Sequence, residues 1–164
     1  QVRILGIDPG FGILGWAIVE GDNEVVAYGA VETPACHSLD ERLFILHESL
    51  KEIIRSYSPD CVAIEKLFFS NNTKTAMDVA KSIGVVLLTI RLAGLRYTEY
   101  GPPQIKRALT GYGGATKKQV QHMVKNLFRL TALPTPDDVA DAIAVAACHS
   151  FSISHKQAVK TAYN

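Results

Sequence analysis

A short apolar run that ends in a carboxylate constrains this chain more than any other stretch. Residues 2–7 are almost entirely apolar, which indicates a buried strand. Asp8 ends the run, and Pro9-Gly10 then predicts a turn into a second apolar run at residues 13–19. An acidic side chain at the buried end of a central strand is costly unless it is paired or binds a cation. The alternative is that Asp8 only caps the turn through its own backbone.

The length and composition indicate one folded domain with a real core. The chain has 164 residues, of which 48% are hydrophobic and 20% charged, as in a globular rather than a disordered protein. We expect the domain to span residues 1–152 and residues 153–164 to form a polar, mobile tail. No apolar run approaches membrane-spanning length, and the start lacks a signal-peptide pattern, so no membrane association is expected. Because the chain begins at Gln1, a trimmed start with a preceding targeting segment stays an alternative.

The cysteines indicate a reducing compartment. Cys36, Cys61 and Cys148 are odd in number and widely scattered, and their spacing suits neither a disulfide framework nor a zinc site. We therefore expect an intracellular, cytoplasmic protein.

The net charge of +1 conceals a strong asymmetry along the chain. Residues 1–65 carry 4 Lys/Arg against 11 Asp/Glu, whereas residues 66–130 carry 11 Lys/Arg against 2 Asp/Glu. A basic middle segment predicts a surface for a polyanion such as nucleic acid. The alternative is that these charges lie on solvated helical faces.

The order of apolar runs and helix signals predicts one mixed sheet covered by helices. Three strands open the chain as an antiparallel meander, and later strands alternate with helices, which is the pattern of an α/β domain. Ser38 and Thr116 each begin a capping box, and Thr135-Pro136 predicts a helix start with Thr at the N-cap and Pro at N1. The predicted strands are 2–7, 14–20, 24–32, 61–64 and 96–100, and the predicted helices begin near residues 38, 75, 102, 116 and 136.

Four carboxylates share the features expected of metal ligands. Asp8 and Glu65 each end an apolar strand run, while Asp138 and Asp141 lie three residues apart on one face of the last helix. Like charges that converge would repel unless cations lay between them, and hard divalent cations prefer oxygen ligands. Two such ions about 4 Å apart can support phosphodiester hydrolysis. Taken singly, Asp138 could merely cap the helix and Asp141 could face solvent, and Asp137 is expected to be a solvated acid of the first turn.

Four stretches, in this order, resemble the RuvC family of bacterial Holliday-junction resolvases within the RNase H-like superfamily. The resemblance covers nearly the whole chain. The stretches are Ile4-Leu5-Gly6-Ile7-Asp8-Pro9-Gly10, Ala63-Ile64-Glu65-Lys66-Leu67-Phe68, Gln119-Val120-Gln121-His122-Met123-Val124 and Asp138-Val139-Ala140-Asp141-Ala142-Ile143-Ala144.

This resemblance implies an RNase H-like fold with a five-stranded mixed sheet and a Mg²⁺-dependent endonuclease activity. It implies that Asp8, Glu65, Asp138 and Asp141 are the catalytic and metal-binding residues, with two Mg²⁺ ions per site and Mn²⁺ as a substitute. The implied substrate is four-way junction DNA, nicked symmetrically in two strands by in-line attack of water during recombination and repair. Further implied partners are a second copy, held through the apolar helix at about 75–93, and the RuvA and RuvB branch-migration proteins of the bacterial cytoplasm.

The basic middle segment supplies the candidate DNA contacts. Lys106 and Lys117 match basic positions that the family uses, and Lys117 stands at a helix start, where backbone N–H groups also favour phosphate. Lys118 is a further candidate, and Phe68 and Phe69 are candidate stacking residues in a polar loop. Lys74, Lys81 and Arg107 are weaker candidates. For each lysine the alternative is a solvated surface residue, and for Phe68 it is a small satellite core.

Three other classes compete with this interpretation. Actin-like and sugar-kinase ATPases share the opening turn, but they need two such halves. Other RNase H-like nucleases, including RNase H and the YqgF group, keep similar acids with other substrates. A catalytically silent junction-binding protein is the third alternative, against which the four intact acids argue.

Overall fold

The elements of the chain occur in the predicted order. A computed structural model describes residues 1–68 and 73–162. Strands and helices follow as β1 (Arg3–Asp8), β2 (Ile13–Glu20), β3 (Glu24–Glu32), α1 (Leu39–Tyr57), β4 (Cys61–Glu65), α2 (Thr73–Leu92), β5 (Tyr97–Tyr100), α3 (Pro102–Thr110), α4 (Lys117–Leu127) and α5 (Asp137–Ala162). Among the described residues no helix is long and apolar enough to cross a membrane.

The strands form one five-stranded mixed sheet in the order β3-β2-β1-β4-β5, which confirms the predicted fold class. The first three strands pair as antiparallel neighbours, whereas β1–β4 and β4–β5 pair in parallel. In the parallel β1–β4 pair, Ile7 lies opposite Ile64. The residues that follow, Asp8 and Glu65, therefore end neighbouring strands at the same edge of the sheet.

The two faces of the sheet bury two separate cores. On one face, Leu5 and Ile7 of β1 pack with buried residues of α1 and α2, such as Leu50 and Ile90. Side chains alternate along a strand, so the intervening residues of β1 point to the opposite face. There Ile4 packs in the second core, which α3, α4 and α5 complete. Asp8 belongs to this second face by the same alternation.

Helix α5 lies unusually close to the centre of the sheet because two strand residues lack side chains. A methyl group at Gly6 would overlap the backbone carbonyl of Ala142, and one at Gly15 would overlap the backbone of Asp138. Glycine in a strand often marks such a close backbone approach. The contacting part of α5 is itself rich in buried alanine, from Ala140 to Ala147. These small residues fix the depth at which α5 crosses β1 and β2.

The start of α5 differs from expectation. The helix begins at Asp137 rather than at Pro136, and the carbonyl of Pro136 accepts a hydrogen bond from the Val139 N–H at 3.0 Å. Pro136 thus acts as the residue before the helix, not as its first residue.

Helix α5 continues to Ala162 and so extends into the expected C-terminal tail. Ser150 and Ser154 of this helix donate hydrogen bonds to Asp22 Oδ1 at 2.7 and 3.0 Å, which tie it to the β2–β3 turn. Residues 153–162 are therefore helical, and the mobility of the tail stays a prediction.

Candidate metal and nucleic-acid site

Three of the predicted carboxylates converge at one edge of the sheet. Oxygen atoms of Asp8, Glu65 and Asp141 all lie within 4.8 Å of one another. Asp8 ends β1, Glu65 ends β4 and Asp141 projects from the second turn of α5. The parallel register of the two strands and the close approach of α5 bring them together, although Asp8 and Asp141 are far apart in the sequence.

Asp138 lies beside this group but outside it. Its backbone packs against Gly15, the residue paired with Asp8 across β1 and β2. Its negative charge is close enough to raise the pKa values of Asp8, Glu65 and Asp141. The structure thus places three predicted acids in a tight cluster and the fourth at its margin.

The cluster holds more negative charge than its surroundings neutralise. Burial raises the pKa of Asp8 to about 9, with further increases from the charges of Glu65, Asp141 and Asp138. Burial and the charge of Asp141 also raise the pKa of Glu65. Burial raises the pKa of Asp141 as well, although the adjacent Lys117 opposes the shift. A buried carboxyl group in such surroundings binds a proton unless a cation takes its place.

The donor set fits a hard divalent cation. All the candidate ligands are carboxylate oxygens, which suit Mg²⁺ and Mn²⁺ and not the softer metals that prefer sulfur. Neither Asp8 nor Glu65 forms an ion pair with a lysine or arginine in the part of the chain that the structure describes. The unneutralised charge on Asp8 and Glu65 is what a bound cation would compensate.

Lys117 closes one side of the cluster. Its ammonium lies 3.3 Å from Asp141 Oδ2 and 3.2 Å from Asp137 Oδ2. Burial tends to lower the pKa of Lys117, but Asp141 and Asp137 raise it overall. Asp137 is exposed, as expected of a solvated acid of the first turn, and it is also a partner of Lys117. The sequence held no signal for this pair, which depends on how α4 packs beside α5.

A cleft of about 260 Å³ opens next to the carboxylates. Charged and apolar residues line it together. They are Glu65, Asp141, Lys106 and Lys117, with Pro102, Ile105, Val120 and Ala144. The structure therefore brings two of the predicted DNA-binding lysines to the acids. Lys118, the third, is exposed on another face of α4.

Phe68 projects from the chain just beyond β4. Its side chain is 68% exposed, which excludes the small satellite core considered from the sequence. The ring lies beside Gly101, and the Lys66 ammonium stands 5.9 Å from its centre. Phe69, the other predicted stacking residue, lies outside the described residues.

Sequence reasoning missed the residues that brace the turn after Asp8. The Arg42 guanidinium stacks 3.6 Å from the centre of the Phe11 ring and donates to Thr33 Oγ1 at 3.3 Å. Thr33 Oγ1 in turn donates to the Phe11 carbonyl. Gly6 and Gly15 were missed as well. For Gly6 a signal was available, because it lies two residues before Asp8 and therefore on the same face of β1.

The sheet order and the acids at the ends of its central strands define a protein of the RNase H-like class. A family model described as "Crossover junction endodeoxyribonuclease RuvC" matches residues 4–149. The chain therefore belongs to the RuvC family of crossover junction endodeoxyribonucleases.

Curated relatives and solved structures agree with this assignment. The chain is 46% identical over 162 residues to the crossover junction endodeoxyribonuclease RuvC of Halothermothrix orenii, a match that covers 96% of this chain and 98% of the relative. It is 48% identical over 157 residues to the protein of the same description from Caldicellulosiruptor saccharolyticus, covering 93% and 95%.

Among solved structures, Thermus thermophilus RuvC matches with a TM-score of 0.87 and 33% identity, covering 94% of this chain and 97% of that one. A T. thermophilus RuvC in complex with Holliday junction substrate also matches, with a TM-score of 0.87, 31% identity and coverage of 94% and 96%. The yeast mitochondrial Holliday junction resolvase Ydc2 shares the fold, with a TM-score of 0.67 at 12% identity and coverage of 99% and 85%.

Proposed function

We propose that this chain is a Holliday-junction resolvase that nicks two strands symmetrically in four-way DNA junctions by metal-dependent hydrolysis of phosphodiester bonds. The observation that carries the proposal is the cluster of Asp8, Glu65 and Asp141 at the head of a lysine-lined cleft. Family membership supports the choice of substrate, because the relatives are described as crossover junction endodeoxyribonucleases and one matching structure holds a Holliday junction substrate.

Asp8, Glu65 and Asp141 would hold divalent cations, with Asp138 as a fourth ligand at the margin of the cluster. Mg²⁺ is the proposed ion, two per site, and Mn²⁺ its substitute. Such ions, when bound, supply Lewis-acid activation of a water and stabilise the leaving oxygen. The carboxylates do the positioning: Asp8 is fixed by a central strand and a braced turn, while Asp138 and Asp141 approach on α5.

The lysines of the cleft would hold the scissile strand. Lys106 and Lys117 line the same cleft as Glu65 and Asp141, so a phosphate bound by them would lie next to the carboxylates. Lys117 also begins α4, whose free backbone N–H groups favour an anion. Exposed Phe68 would stack on a base at the distorted junction.

A homodimer would deliver two symmetric nicks, since a two-fold axis places one site on each strand. The outer face of α2 carries Met77, Leu88 and Leu92, and the adjacent α1 adds Phe44, all of them large apolar side chains that are more than half exposed. Several exposed large apolar side chains on neighbouring helices are typical of a protein interface. This face is the proposed dimer contact.

The setting of this activity follows from the family. We propose that the protein acts in the bacterial cytoplasm with the RuvA and RuvB branch-migration proteins. All three cysteines are free thiols, as expected in a reducing compartment.

The test is incubation with a four-way junction, a linear duplex and an RNA–DNA hybrid, each with Mg²⁺ and with chelator. Paired nicks in the junction alone, lost with chelator and in Asp8→Asn, are the expected result. The Asp8→Asn variant should still bind the junction. Cleavage of the hybrid would assign the site to another RNase H-like nuclease, and junction binding without cleavage by the unchanged protein would make it a silent binding protein.

A further inference from the structure

Hydrogen bonds tie the loop between α3 and α4, residues 111–115, to the end of α3. Thr110 Oγ1 donates to the Lys106 carbonyl at 2.7 Å and accepts from the Tyr112 N–H at 3.2 Å. The Ala115 N–H donates to the Tyr112 carbonyl at 3.2 Å, and Gly111 adopts a left-handed φ of 80° that ends α3. The glycine-rich sequence indicates a flexible loop, and these bonds restrict it.

This loop presents an aromatic ring to solvent. The Tyr112 ring folds over Gly114, where an added methyl group would come within 2.6 Å of it. Glycine at position 114 therefore leaves the space that the ring occupies. Even so, Tyr112 is 67% exposed. Packing within the chain therefore does not account for an aromatic side chain at this position. An exposed aromatic whose position is fixed in advance loses little conformational entropy on binding.

Tyr112 forms one end of a groove on α4. The groove has a volume of about 410 Å³, and Ala115, Lys118, His122 and Met123 line it with Tyr112. The proposed active-site cleft is lined by Lys117 and Val120, on the neighbouring face of the same helix. A strand that leaves the cleft across the first turn of α4 would reach this groove next.

The charges around the groove favour a polyanion over a protein of mixed charge. Residues 100–136 contain no Asp or Glu, while their basic residues are Lys106, Arg107, Lys117, Lys118, Lys125 and Arg129. Arg107 reaches the loop itself, since an added methyl at Gly113 would lie 3.2 Å from its Nη2. The surface therefore combines an aromatic ring with nearby cations, which is the usual composition of a site for nucleic-acid strands.

We propose that Tyr112 is a DNA-contacting residue, which packs its ring on a nucleoside of the bound junction while Lys118 contacts an adjacent phosphate. The contact lies outside the scissile position and would serve binding. The inference rests on the proposed function, because it takes the junction as the ligand.

The test compares Tyr112→Ala, Tyr112→Phe and Lys118→Ala for junction binding in Ca²⁺, across a series of salt concentrations. Tyr112→Ala should weaken binding about tenfold, because a lost base–aromatic contact has an effect of that order, whereas Tyr112→Phe should bind normally. Tyr112→Ala should leave the slope of log affinity against log salt unchanged, since no phosphate contact is removed. Lys118→Ala should reduce that slope by about 1. Tyr28→Ala is the matched control, since Tyr28 is an exposed tyrosine of β3.

A second measurement addresses the unchanged protein directly. Ultraviolet cross-linking to junctions that carry 5-iododeoxyuridine along one arm should yield a DNA-linked peptide that contains Tyr112. Normal binding by Tyr112→Ala, or cross-links that never include the 111–115 loop, would overturn the inference. If the unchanged protein neither binds nor cleaves the junction, the proposed function itself fails; if it does both and Tyr112→Ala matches it, only the Tyr112 contact fails. If Tyr112→Ala binds DNA normally but no longer binds an added protein, the inference is overturned and the groove is a site for that protein.

Discussion

Asp8 is the residue at which stability and proposed function oppose each other. It is only 8% exposed, and its carboxyl group faces Glu65 and Asp141 with no cationic partner among the described side chains. A residue chosen only for folding would be neutral at this place. The free-energy cost of burying Asp8 in the metal-free protein is explained if its carboxylate binds a cation.

This conflict predicts how the stability of the metal-free protein depends on pH. The pKa of Asp8 is about 9 in the folded chain against an ordinary value of 3.8. Between these values the folded state holds a proton that the unfolded chain has lost, so the free energy of unfolding should fall as pH rises. Urea unfolding with chelator at pH 5 and pH 8 measures the change.

Asp8→Asn removes that titration. We expect the variant to be more stable than the unchanged protein at pH 8 in chelator, by about 2 kcal/mol, and to gain nothing from Mg²⁺, which should stabilise the unchanged protein. Glu99→Gln, at an exposed acid of β5, is the control and should change neither property. An Asp8→Asn variant that is less stable than the unchanged protein at pH 8 would indicate a structural aspartate.

Lys117 lies directly beside the cluster, and its removal should lower the affinity for DNA. Lys117→Ala is expected to weaken junction binding and to reduce the slope of log affinity against log salt by about 1, because one phosphate contact is lost. Lys156→Ala, on the exposed far end of α5, should leave both unchanged. An unaltered slope in Lys117→Ala would remove this lysine from the phosphate contacts and leave its ion pairs with Asp137 and Asp141 as its main role.

At the scale of elements, the site depends on how deeply α5 sits on the sheet. Gly15 pairs with Asp8 and touches the backbone of Asp138, so one residue links the strand-borne and helix-borne acids. Its lack of a side chain sets the distance between the two groups. Catalytic geometry of this kind tolerates little displacement.

Gly15→Ala should therefore impair function more than folding. The added methyl group would push the start of α5 outward, and we expect junction cleavage to fall about a hundredfold while the protein loses about 1–3 kcal/mol of stability. Gly12→Ala is the matched control, since the nearest atom to its methyl group would be Arg42 Nη2 at 3.9 Å. If Gly15→Ala cleaves the junction at a rate within about twofold of the Gly12→Ala control, the depth of α5 is not critical.

The elements and the acids could be predicted because each has a local signal. Apolar runs that end in Asp8 and Glu65, and capping boxes at Ser38 and Thr116, are visible without a structure, and both boxes are present. Neighbouring strands then bring the two acids together.

Features that depend on contacts between distant segments could not be predicted in the same way. The marginal position of Asp138 and the pairing of Lys117 with Asp137 follow from the packing of α4 and α5. The helical end of α5 was missed because its sequence is polar, and its tie to Asp22 joins residues 128 positions apart.

At the scale of the whole molecule, the described residues of one chain supply one cluster of acids that could hold a metal ion. Two nicks at symmetric positions need two such clusters with a fixed separation, which a two-fold dimer provides. The apolar outer face of α2 is where the proposed dimer would form.

Leu88→Glu should disrupt that dimer and leave the monomer folded. Leu88 is 58% exposed, so a charged side chain there costs little within one chain but would be buried unpaired between two. Sedimentation velocity at micromolar concentration should show a dimer for the unchanged protein and a monomer for Leu88→Glu. Val26→Glu, at an exposed position of β3, should remain dimeric. A monomeric unchanged protein would contradict the dimer.

Paired, symmetric cleavage of a four-way junction can be measured on a supercoiled plasmid that extrudes a cruciform. Two nicks made together across the cruciform convert the circle to a linear molecule, whereas a single nick relaxes it to an open circle and abolishes the substrate. We predict linear product from the first turnover in Mg²⁺, its replacement by open circle in Leu88→Glu, and no product in Asp8→Asn. Open circle as the main product of the unchanged protein would contradict the account.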